Sequence, residues 1–423
     1  MKLKALSSSV LLALLPISGV YAAAMDRSGQ SISAFLQPNN YFEAGISVLD
    51  PNVSGKALPA YGGGNISNMA DDYYFPSAAI KLQPTENFSV GLLYDQPFGA
   101  KTTYQGNNAF VGNQIYGPTG PTPLTHNSDI SATQADVKSQ NLSLIFGFQP
   151  NENINLYAGA AYQTIKGSVS LRGPATSVLN GYDAILKEDD SFGWLVGAAY
   201  QIPEIALKAS LTYRSEIDHD LNTRENLPQT AQFGPLAPLV NGVFDSSLAK
   251  TGITTPQSVN LDFQTGIMAD TVAFANVRWV NWESVSIQPD KFGQLSRLLG
   301  QNGLVAGKPN GFNLLEYSKD QWSANLGVGR KLTEKWSGTV SVGWDSGAGN
   351  PVTALGPTEG YWNVGLGAQF SPAPNYFIAG GVKYFWLGDA KGQLASQSGT
   401  NAYVADFEDN YALAYGLKIG YKF

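Results

Sequence analysis

The sequence has no cysteine, only two histidines and few charged residues for a chain of 423 amino acids. Without cysteine, a disulfide framework is excluded. Asp, Glu, Lys and Arg together make up 14% of the chain, against about 25% in typical soluble domains. The net charge of -7 provides no basic surface for nucleic acid. These shortages exclude a disulfide scaffold and argue against a nucleic-acid-binding protein.

Long apolar runs are also missing, except at the N-terminus. Lys2 and Lys4 precede the apolar run VLLALLPISGV and the small residues of YAAAMD, which is the order found in a secretory signal peptide. We therefore expect residues 1–24 to be a signal peptide. No later stretch approaches the roughly 18 apolar residues of a spanning helix. Since no linker or shift of composition divides the remainder, the sequence predicts one large exported domain.

Glycine and aromatic residues are abundant, with 46 Gly, 21 Tyr and 20 Phe. An exported chain with this composition, few charges and no helical spans predicts an all-β protein, a transmembrane antiparallel β-barrel. The C-terminal stretch YALAYGLKIGYKF alternates strictly, with large apolar residues at every odd position from Tyr411 to Phe423. It is longer than the usual strand of about 5 to 6 residues. Aromatic residues at both ends of its apolar face match the two interfacial girdles of a barrel.

The same template predicts fourteen strands within residues 41–423. They lie near 41–50, 73–82, 88–104, 136–149, 154–171, 191–201, 205–215, 257–267, 272–285, 321–332, 336–346, 361–370, 376–387 and 410–423. Short turns alternate with long connections, as periplasmic turns alternate with outer loops in bacterial barrels. A lumen of this size is too wide for its own lining to fill. The polar segment 25–40 is therefore expected at the periplasmic mouth as a plug.

Three stretches and their order carry a family resemblance. They are LTYRSEIDHDL at 211–221, WVNWESV at 279–285 and YGLKIGYKF at 415–423. Together with the fourteen-stranded layout, they resemble the FadL-type transporters, which move long-chain fatty acids and other hydrophobic molecules across the outer membrane. Family members fold the N-terminal segment into the barrel as a hatch, usually with an Asn-Pro-Ala motif. This chain has QPNN at 37–40 instead.

The resemblance also implies basic ligands for a fatty-acid carboxylate. Arg172 and Lys291 lie within a few residues of positions where the family carries such ligands, and Arg214 lies in the matching stretch LTYRSE. A charged head group drawn into a low-dielectric lumen needs a partner. The alternative is that each is a solvated loop charge or half of a lumen ion pair, such as Arg214 with Glu216.

Apolar residues in the fourth and fifth long loops predict a hydrophobic binding site. The fourth loop contains FGPLAPLVNGVF, and the fifth contains FGQLSRLLGQNGLV, whose apolar spacing indicates a short amphipathic helix. Exposed groups of this kind either pack together or bind something. The predicted ligand-binding residues are Phe233, Leu236, Leu239, Phe244, Phe292, Leu295, Leu298 and Leu299. The alternative is a small satellite core between the two loops.

A proline and a glycine interrupt the predicted third strand. In DQPFGAK, Pro97 removes a backbone donor and Gly99 removes a side chain, so both weaken the ladder. In lipid, irregular backbone is tolerated only where protein or a cavity lines it. We therefore expect Pro97, Phe98 and Gly99 to form a lateral gate; FadL-type proteins similarly have a kinked third strand. The alternative is a bulge near the outer end of the strand.

We predict passive outer-membrane transport of hydrophobic molecules, with long-chain fatty acids as the leading substrate, by binding under the outer loops, hatch movement and lateral exit. Monoaromatic hydrocarbons by the same route, or a general porin, are the alternatives. An enzyme is not expected, since His126 and His219 belong to no nucleophile pattern. The expected partners are the transported molecule, outer-membrane lipid and the barrel assembly machinery. We expect a monomer with no cofactor or metal.

Overall fold

The computed structural model describes residues 25–112, 114–117, 120–123, 132–228, 230–246 and 248–423. The expected signal peptide and His126 lie outside the described residues. Within them, one antiparallel sheet closes on itself, because its first strand pairs with both the second and the last. A closed antiparallel β-barrel confirms the predicted fold class.

The sheet has seventeen segments, which form fourteen strands because three strands are interrupted. In chain order these are β1 (Tyr41–Asn52), β2 (Tyr73–Leu82), β3 (Phe88–Asp95 and Gly99–Thr103), β4 (Gln134–Asn151), β5 (Ile154–Ser170), β6 (Asp183–Ile202), β7 (Leu207–Arg214 and Ile217–Asn226), β8 (Leu248–Thr255 and Ser258–Met268), β9 (Thr271–Val280), β10 (Gln321–Lys331), β11 (Trp336–Asp345), β12 (Tyr361–Ala373), β13 (Tyr376–Leu387) and β14 (Tyr411–Lys422). Short turns lie at one end of the barrel and long loops at the other.

Period-two alternation determines which side chains face outward. In β14, Tyr415, Leu417 and Ile419 are exposed on the outer face, whereas Ala412 and Ala414 are completely buried inside. Other strands expose large apolar side chains in the same way, such as Phe192 and Leu366. A wall that exposes apolar groups all around is suited to lipid.

The seventh and eighth strands extend further than predicted. β7 continues to Asn226 and β8 begins at Leu248, because their ladder resumes beyond the interruption at residues 215–216. His219 therefore lies within a strand and not in a loop, with its Nε2 atom 3.2 Å from Oε1 of Gln163. The ninth strand is shorter than predicted, since it ends at Val280 before a 3-10 turn.

Two α-helices lie in the long loops: α1 (Ala237–Phe244) between β7 and β8, and α2 (Asp290–Gln301) between β9 and β10. Single 3-10 turns are Pro59–Tyr61, Pro174–Leu179, Pro203–Ile205, Ala231–Leu236, Trp282–Ser284 and Ala395–Gln397. Short strands outside the barrel wall are Gly55–Ala57, Asn65–Ile66, Gln114–Gly117, Gly120–Pro123, Ser286–Ile287, Leu315–Glu316, Val352–Thr353, Ala390–Gln393 and Ala405–Phe407. Among the described helices, none is long and apolar enough to cross a membrane.

The segment of residues 25–40, called the N-terminal segment below, runs inside the barrel. It extends further than the predicted position at the periplasmic mouth, because Met25 reaches the interruption of β3, where its carbonyl accepts a hydrogen bond from Gly99. Phe35 is completely buried and lies where a Cβ on Gly91 or Gly147 would come within 2.8 Å of its ring. Glycine at these two positions lets the Phe35 ring approach the inner wall.

Candidate ligand path

A gap lies in the barrel wall between β2 and β3. Within residues 73–103, all of which are described, the two strands pair only through Ala78–Leu82 and Val90–Tyr94. The upper half of β2, residues 73–77, continues to pair with β1. The upper part of β3 pairs with β4 instead. The interruption thus separates the two strands where the regular ladder would continue, and this separation is called the wall gap below.

The three predicted gate residues lie at the interruption itself. Phe98 is turned inward, where its ring packs edge-to-face on Trp282 with centroids 5.6 Å apart. Its backbone N–H donates to the hydroxyl of Ser139 at 2.8 Å. The backbone of Pro97 and Gly99 bonds to the N-terminal segment: Arg27 N–H donates to the carbonyl of Pro97 at 2.6 Å, and Arg27 Nε donates to the carbonyl of Gly99. The start of the segment therefore satisfies backbone groups that the broken ladder leaves free.

An apolar cavity, called the inner cavity below, adjoins this interruption. It has an empty volume of about 560 Å³, which includes space open to solvent. Met25 and Ala100 line it on the side of the interruption. Its other apolar lining residues are Ala135, Val137, Ile165, Val169, Leu186, Ile253, Ile287, Leu314, Leu315 and Leu355. Such a lining favours a hydrophobic occupant over a polar one.

A second cavity, called the outer cavity below, lies among the long loops. It has an empty volume of about 420 Å³ and includes Phe110, Leu171, Leu179 and Leu394. Leu314 and Leu355 line both cavities. Because the two share these side chains, they lie next to each other between the outer loops and the interruption of β3, and together they are called the apolar route below.

The predicted loop residues are brought together, but mainly as a packed core. Phe292, Leu295 and Leu299 on α2 are completely buried, and Phe233 is nearly so. Leu236, Phe244 and Leu298 pack against the same cluster, whereas Leu239 is 56% exposed. The predicted helix is confirmed as α2. None of the eight described side chains lines the inner or the outer cavity, so none of them forms a wall of the apolar route.

Two of the predicted basic residues are engaged within the loops. Arg172 is buried, with Nη2 at 2.7 Å from Oδ1 of Asp183. Lys291 donates from Nζ to the carbonyl of Val243 at 2.8 Å, and its backbone N–H donates to Glu225 at 3.0 Å. Glu225 thereby caps the start of α2. Both side chains hold the outer loops together.

The carboxylate of Glu225 also links the third outer loop to this cap. Tyr182 donates its hydroxyl to Glu225 at 2.7 Å. Burial, followed by the neighbouring Glu225 charge, raises the pKa of Tyr182 well above its usual value. The phenol therefore stays protonated at neutral pH and remains a donor to the carboxylate.

The third predicted basic residue lies in the lumen. Arg214 is buried, and Nη2 donates to the carbonyl of Gln30 at 3.1 Å. It contacts the N-terminal segment and not the predicted partner Glu216. Another lumenal arginine, Arg278, binds the same segment through Asp26 at 2.7 Å and Gln30 at 3.1 Å. The basic side chains therefore hold the segment against β7 and β9.

Sequence reasoning missed the side chains that line the route. Leu314 and Leu355 lie in the fifth and sixth loops, and no periodic pattern distinguishes them from other loop leucines. Met25 was assigned to the plug by position, without a ligand contact. The sequence signal that could have indicated them was the apolar pair Leu314–Leu315 within the long fifth loop.

Comparisons with known proteins identify the family and support the barrel fold. Residues 23–423 match the model of the family described as "Outer membrane protein transport protein (OMPP1/FadL/TodX)". A Pseudomonas aeruginosa FadL homologue has a similar structure, with a TM-score of 0.65, 13% identity and 92% of each chain covered. Among curated proteins, none matches this sequence.

Two toluene transporters share the fold. The P. putida toluene transporter TodX has a TM-score of 0.58 and 10% identity, with 92% of this chain and 91% of that chain covered. The Ralstonia pickettii toluene transporter TbuX has a TM-score of 0.56 and 10% identity, with 96% and 98% covered. At these identities the structures support the fold, whereas the family model covers nearly the whole sequence. The chain belongs to the OMPP1/FadL/TodX family of outer-membrane transport proteins.

Proposed function

We propose that this outer-membrane transporter of hydrophobic compounds carries long-chain fatty acids along the apolar route and releases them sideways through the wall gap. The observation that carries the proposal is the junction at Leu314 and Leu355, where the outer and inner cavities meet. An elongated apolar route fits a long flexible chain, and each buried CH₂ contributes roughly 0.8 kcal/mol. No energy source is needed for a molecule that moves down its own gradient.

A dye-displacement titration with saturated fatty acids of increasing length tests this proposal. Affinity should rise with chain length, because each added methylene leaves water. Equal affinity for short and long acids would contradict an elongated apolar site. Uptake of the same acids, labelled, by cells should rise in the same order of chain length, which links binding to transport.

Monoaromatic hydrocarbons are the second candidate substrates. The apolar lining of the inner cavity suits a compact apolar ligand, and no cation is needed for it. Calorimetric binding of oleate against toluene discriminates the two substrates. Tight toluene binding with weak oleate binding would favour the aromatic substrate, while the route itself would stay the same.

Lateral exit is proposed from the position of the inner cavity. Met25 and Ala100 line the cavity, and Gly99 next to them lies at the wall gap. A ligand that moves from the cavity through the gap passes from an apolar lining into lipid without entering water. This route avoids most of the hydration cost of release.

The N-terminal segment is proposed to act as the hatch of this route. Its contacts with Pro97, Gly99, Arg214 and Arg278 hold it against the wall on both sides of the lumen. A ligand can shift the segment only by binding the moved state better. Deleting residues 25–40 should make the barrel permeable to small sugars in liposome swelling. An unchanged swelling rate would argue against a hatch, and a high rate already in the intact protein would favour the general porin.

A further inference from the structure

A third cavity, called the lumenal chamber below, lies on the other side of the N-terminal segment. Its empty volume is about 1,610 Å³. Along β13 it extends from Phe377 to Phe385, which is about 26 Å at the usual rise per residue. It shares no lining residue with the inner cavity, and the segment separates the two: Met25 lines one and Asp26 lines the other. The chamber is therefore not part of the apolar route.

The walls of the chamber carry an excess of positive charge. Four basic side chains line it, Lys208, Arg278, Lys383 and Lys418, against the three acidic ones Asp26, Glu43 and Asp262. Arg278 pairs with Asp26 at 2.7 Å and Lys418 with Glu43 at 3.0 Å. Lys208 donates to a carbonyl of the N-terminal segment at 2.6 Å, and Asp262 accepts from Asn276 at 2.8 Å.

Among the four basic lining residues, Lys383 has no ion pair or hydrogen bond of this kind within the described residues. It is 6% exposed, and within the described residues its ammonium has neither a hydrogen bond nor an ion pair. Its stem lies across Gly365, where a Cβ would come within 2.9 Å of Cγ of Lys383. Its other strand neighbour is Ala414. Neither strand neighbour, Gly365 or Ala414, has a polar side chain that could pair with the charge.

Within the described residues, unpartnered polar groups lie on the three strands that precede β13 in the sheet: Asn363 on the adjacent β12, Ser341 on β11 and Asn325 on β10. Asn325 and Asn363 line the chamber, and Oδ1 of each is buried without a partner. Ser341 Oγ is likewise buried without a partner, and Ser341 pairs with Gly365, the neighbour of Lys383. Amide and hydroxyl groups can turn an N–H or O–H toward a bound oxygen. The Lys383 ammonium, the Ser341 hydroxyl and the Nδ2 groups of the two amides can donate, although the unpartnered Oδ1 atoms themselves accept, so the set can supply the hydrogen bonds that an oxyanion needs.

We infer that the lumenal chamber contains a carboxylate-binding site centred on Lys383. The excess of one positive charge matches a singly charged organic carboxylate better than a doubly charged phosphate. The carboxylate has two sources: a small water-soluble acid that enters the lumen, or the head group of a fatty acid. The site does not depend on hydrophobic uptake, because the chamber and the apolar route are separate.

The test uses the intact protein in detergent micelles with its lysines dimethylated by ¹³C-formaldehyde, which keeps their charge. Lys383→Met assigns the Lys383 methyl resonance in the NMR spectrum. Sodium benzoate serves as the small carboxylate and sodium laurate as the acyl one, with benzyl alcohol and dodecanol as uncharged counterparts. We expect a saturable shift of the Lys383 resonance with at least one carboxylate and with neither alcohol.

The pattern of shifts distinguishes the sources. A shift with benzoate and laurate alike indicates a general carboxylate site, and a shift with laurate alone indicates a head-group site. No saturable shift with either acid, or equal shifts with the alcohols, overturns the inference. Oleate uptake by cells, measured in parallel with the NMR titration, reports separately on the proposed function.

Affinity measurements provide the second readout. Losing a charged hydrogen bond of about 1.5–3 kcal/mol should weaken carboxylate binding about tenfold or more in Lys383→Met. Lys383→Arg keeps the charge and should retain most of the affinity. Lys335→Met, at an exposed turn, is the matched control. Heat-modifiable migration on gels verifies that each variant is folded, and unchanged affinity in a folded Lys383→Met variant contradicts the site.

Discussion

The guanidinium of Arg27 lies 4.1 Å from the centre of the Tyr73 ring, so a residue of the N-terminal segment stacks on the first residue of β2 at the wall gap. The Tyr73 hydroxyl crosses the same gap and donates to the carbonyl of Lys101 at 2.8 Å. Together these contacts close the gap from the lumen side. If the segment acts as the proposed hatch, its movement would break these contacts at the wall gap.

Removing this closure should speed ligand exit. Tyr73→Leu removes a cation–π contact of about 0.5–2 kcal/mol and the hydrogen bond across the gap. The equilibrium between the closed and the open gap should shift toward the open one, by about fivefold for each 1 kcal/mol. We therefore expect oleate uptake to rise a few-fold. Uptake of labelled oleate by cells is the measurement. Tyr403→Leu is the matched control, because Tyr403 stacks with Lys391 at 5.0 Å in an outer loop. Equal uptake in the two variants would show that the Arg27–Tyr73 pair does not limit exit.

Straightening β3 should have the opposite effect. In a Pro97→Val, Gly99→Thr variant, Val restores a backbone donor and both new residues have high strand propensity, so the ladder is favoured over the interruption. The new Cβ at position 99 lies 3.0 Å from the carbonyl of Val137, which has to shift slightly. We expect normal folding and oleate binding with uptake lost. Gly252→Thr on β8 is the control, since a Cβ there meets nothing within 4 Å. A folded double variant that transports as fast as the control would exclude the lateral exit.

The junction between the two apolar cavities should control affinity. Leu355→Asn places an amide where both cavities meet, and an amide without a partner in an apolar lining costs about 1–3 kcal/mol. Oleate affinity in a dye-displacement titration should therefore fall roughly tenfold. Leu239→Asn changes a residue that the sequence placed in the binding site but that is exposed on α1. If Leu239→Asn weakened binding as much as Leu355→Asn, the predicted loop site would be favoured over the cavities.

The docking of Phe35 should keep the barrel closed. Gly91→Val adds side-chain atoms, the first of which would lie 2.5 Å from the Phe35 ring, and such overpacking costs about 1–3 kcal/mol. We expect the N-terminal segment to loosen and small sugars to enter liposomes faster. Gly252→Val is again the control with open space. Swelling at the control rate would mean that Phe35 docking is not needed to close the lumen.

The barrel could be predicted because lipid imposes a local pattern. Tyr415, Leu417 and Ile419 must face outward, and this requirement appears as strict alternation in the sequence. The helix α2 could be predicted for a similar reason, since Phe292, Leu295 and Leu299 repeat at helical spacing. The interruption at Pro97 was visible because proline and glycine act on their own backbone.

The ligand route could not be predicted because it depends on contacts between distant loops. Leu314 and Leu355 meet only when the fifth and sixth loops fold over the barrel, and neither has a local signal. The same holds for Lys383: alternation places it inside the barrel, but its lack of a partner depends on Ser341, Gly365 and Ala414 on three other strands.

The sixth outer loop should respond to pH through Glu359. Burial raises the pKa of this carboxyl to about 7, although Lys319 and the backbone N–H groups of Gly349 and Ala348 oppose the shift. Because the folded loop holds the proton more tightly than the unfolded chain, stability is greatest below the unfolded value of about 4.5 and falls as pH rises toward 7. Since the carboxyl is partly in water, we expect a loss on the order of 1 kcal/mol.

Hydrogen exchange of residues 346–360, corrected for intrinsic rates, should show more frequent opening at pH 8 than at pH 5. Glu359→Gln should remove this difference, whereas Glu408→Gln at an exposed position of the seventh loop should keep it. A pH dependence that persists in Glu359→Gln would assign the response to another group.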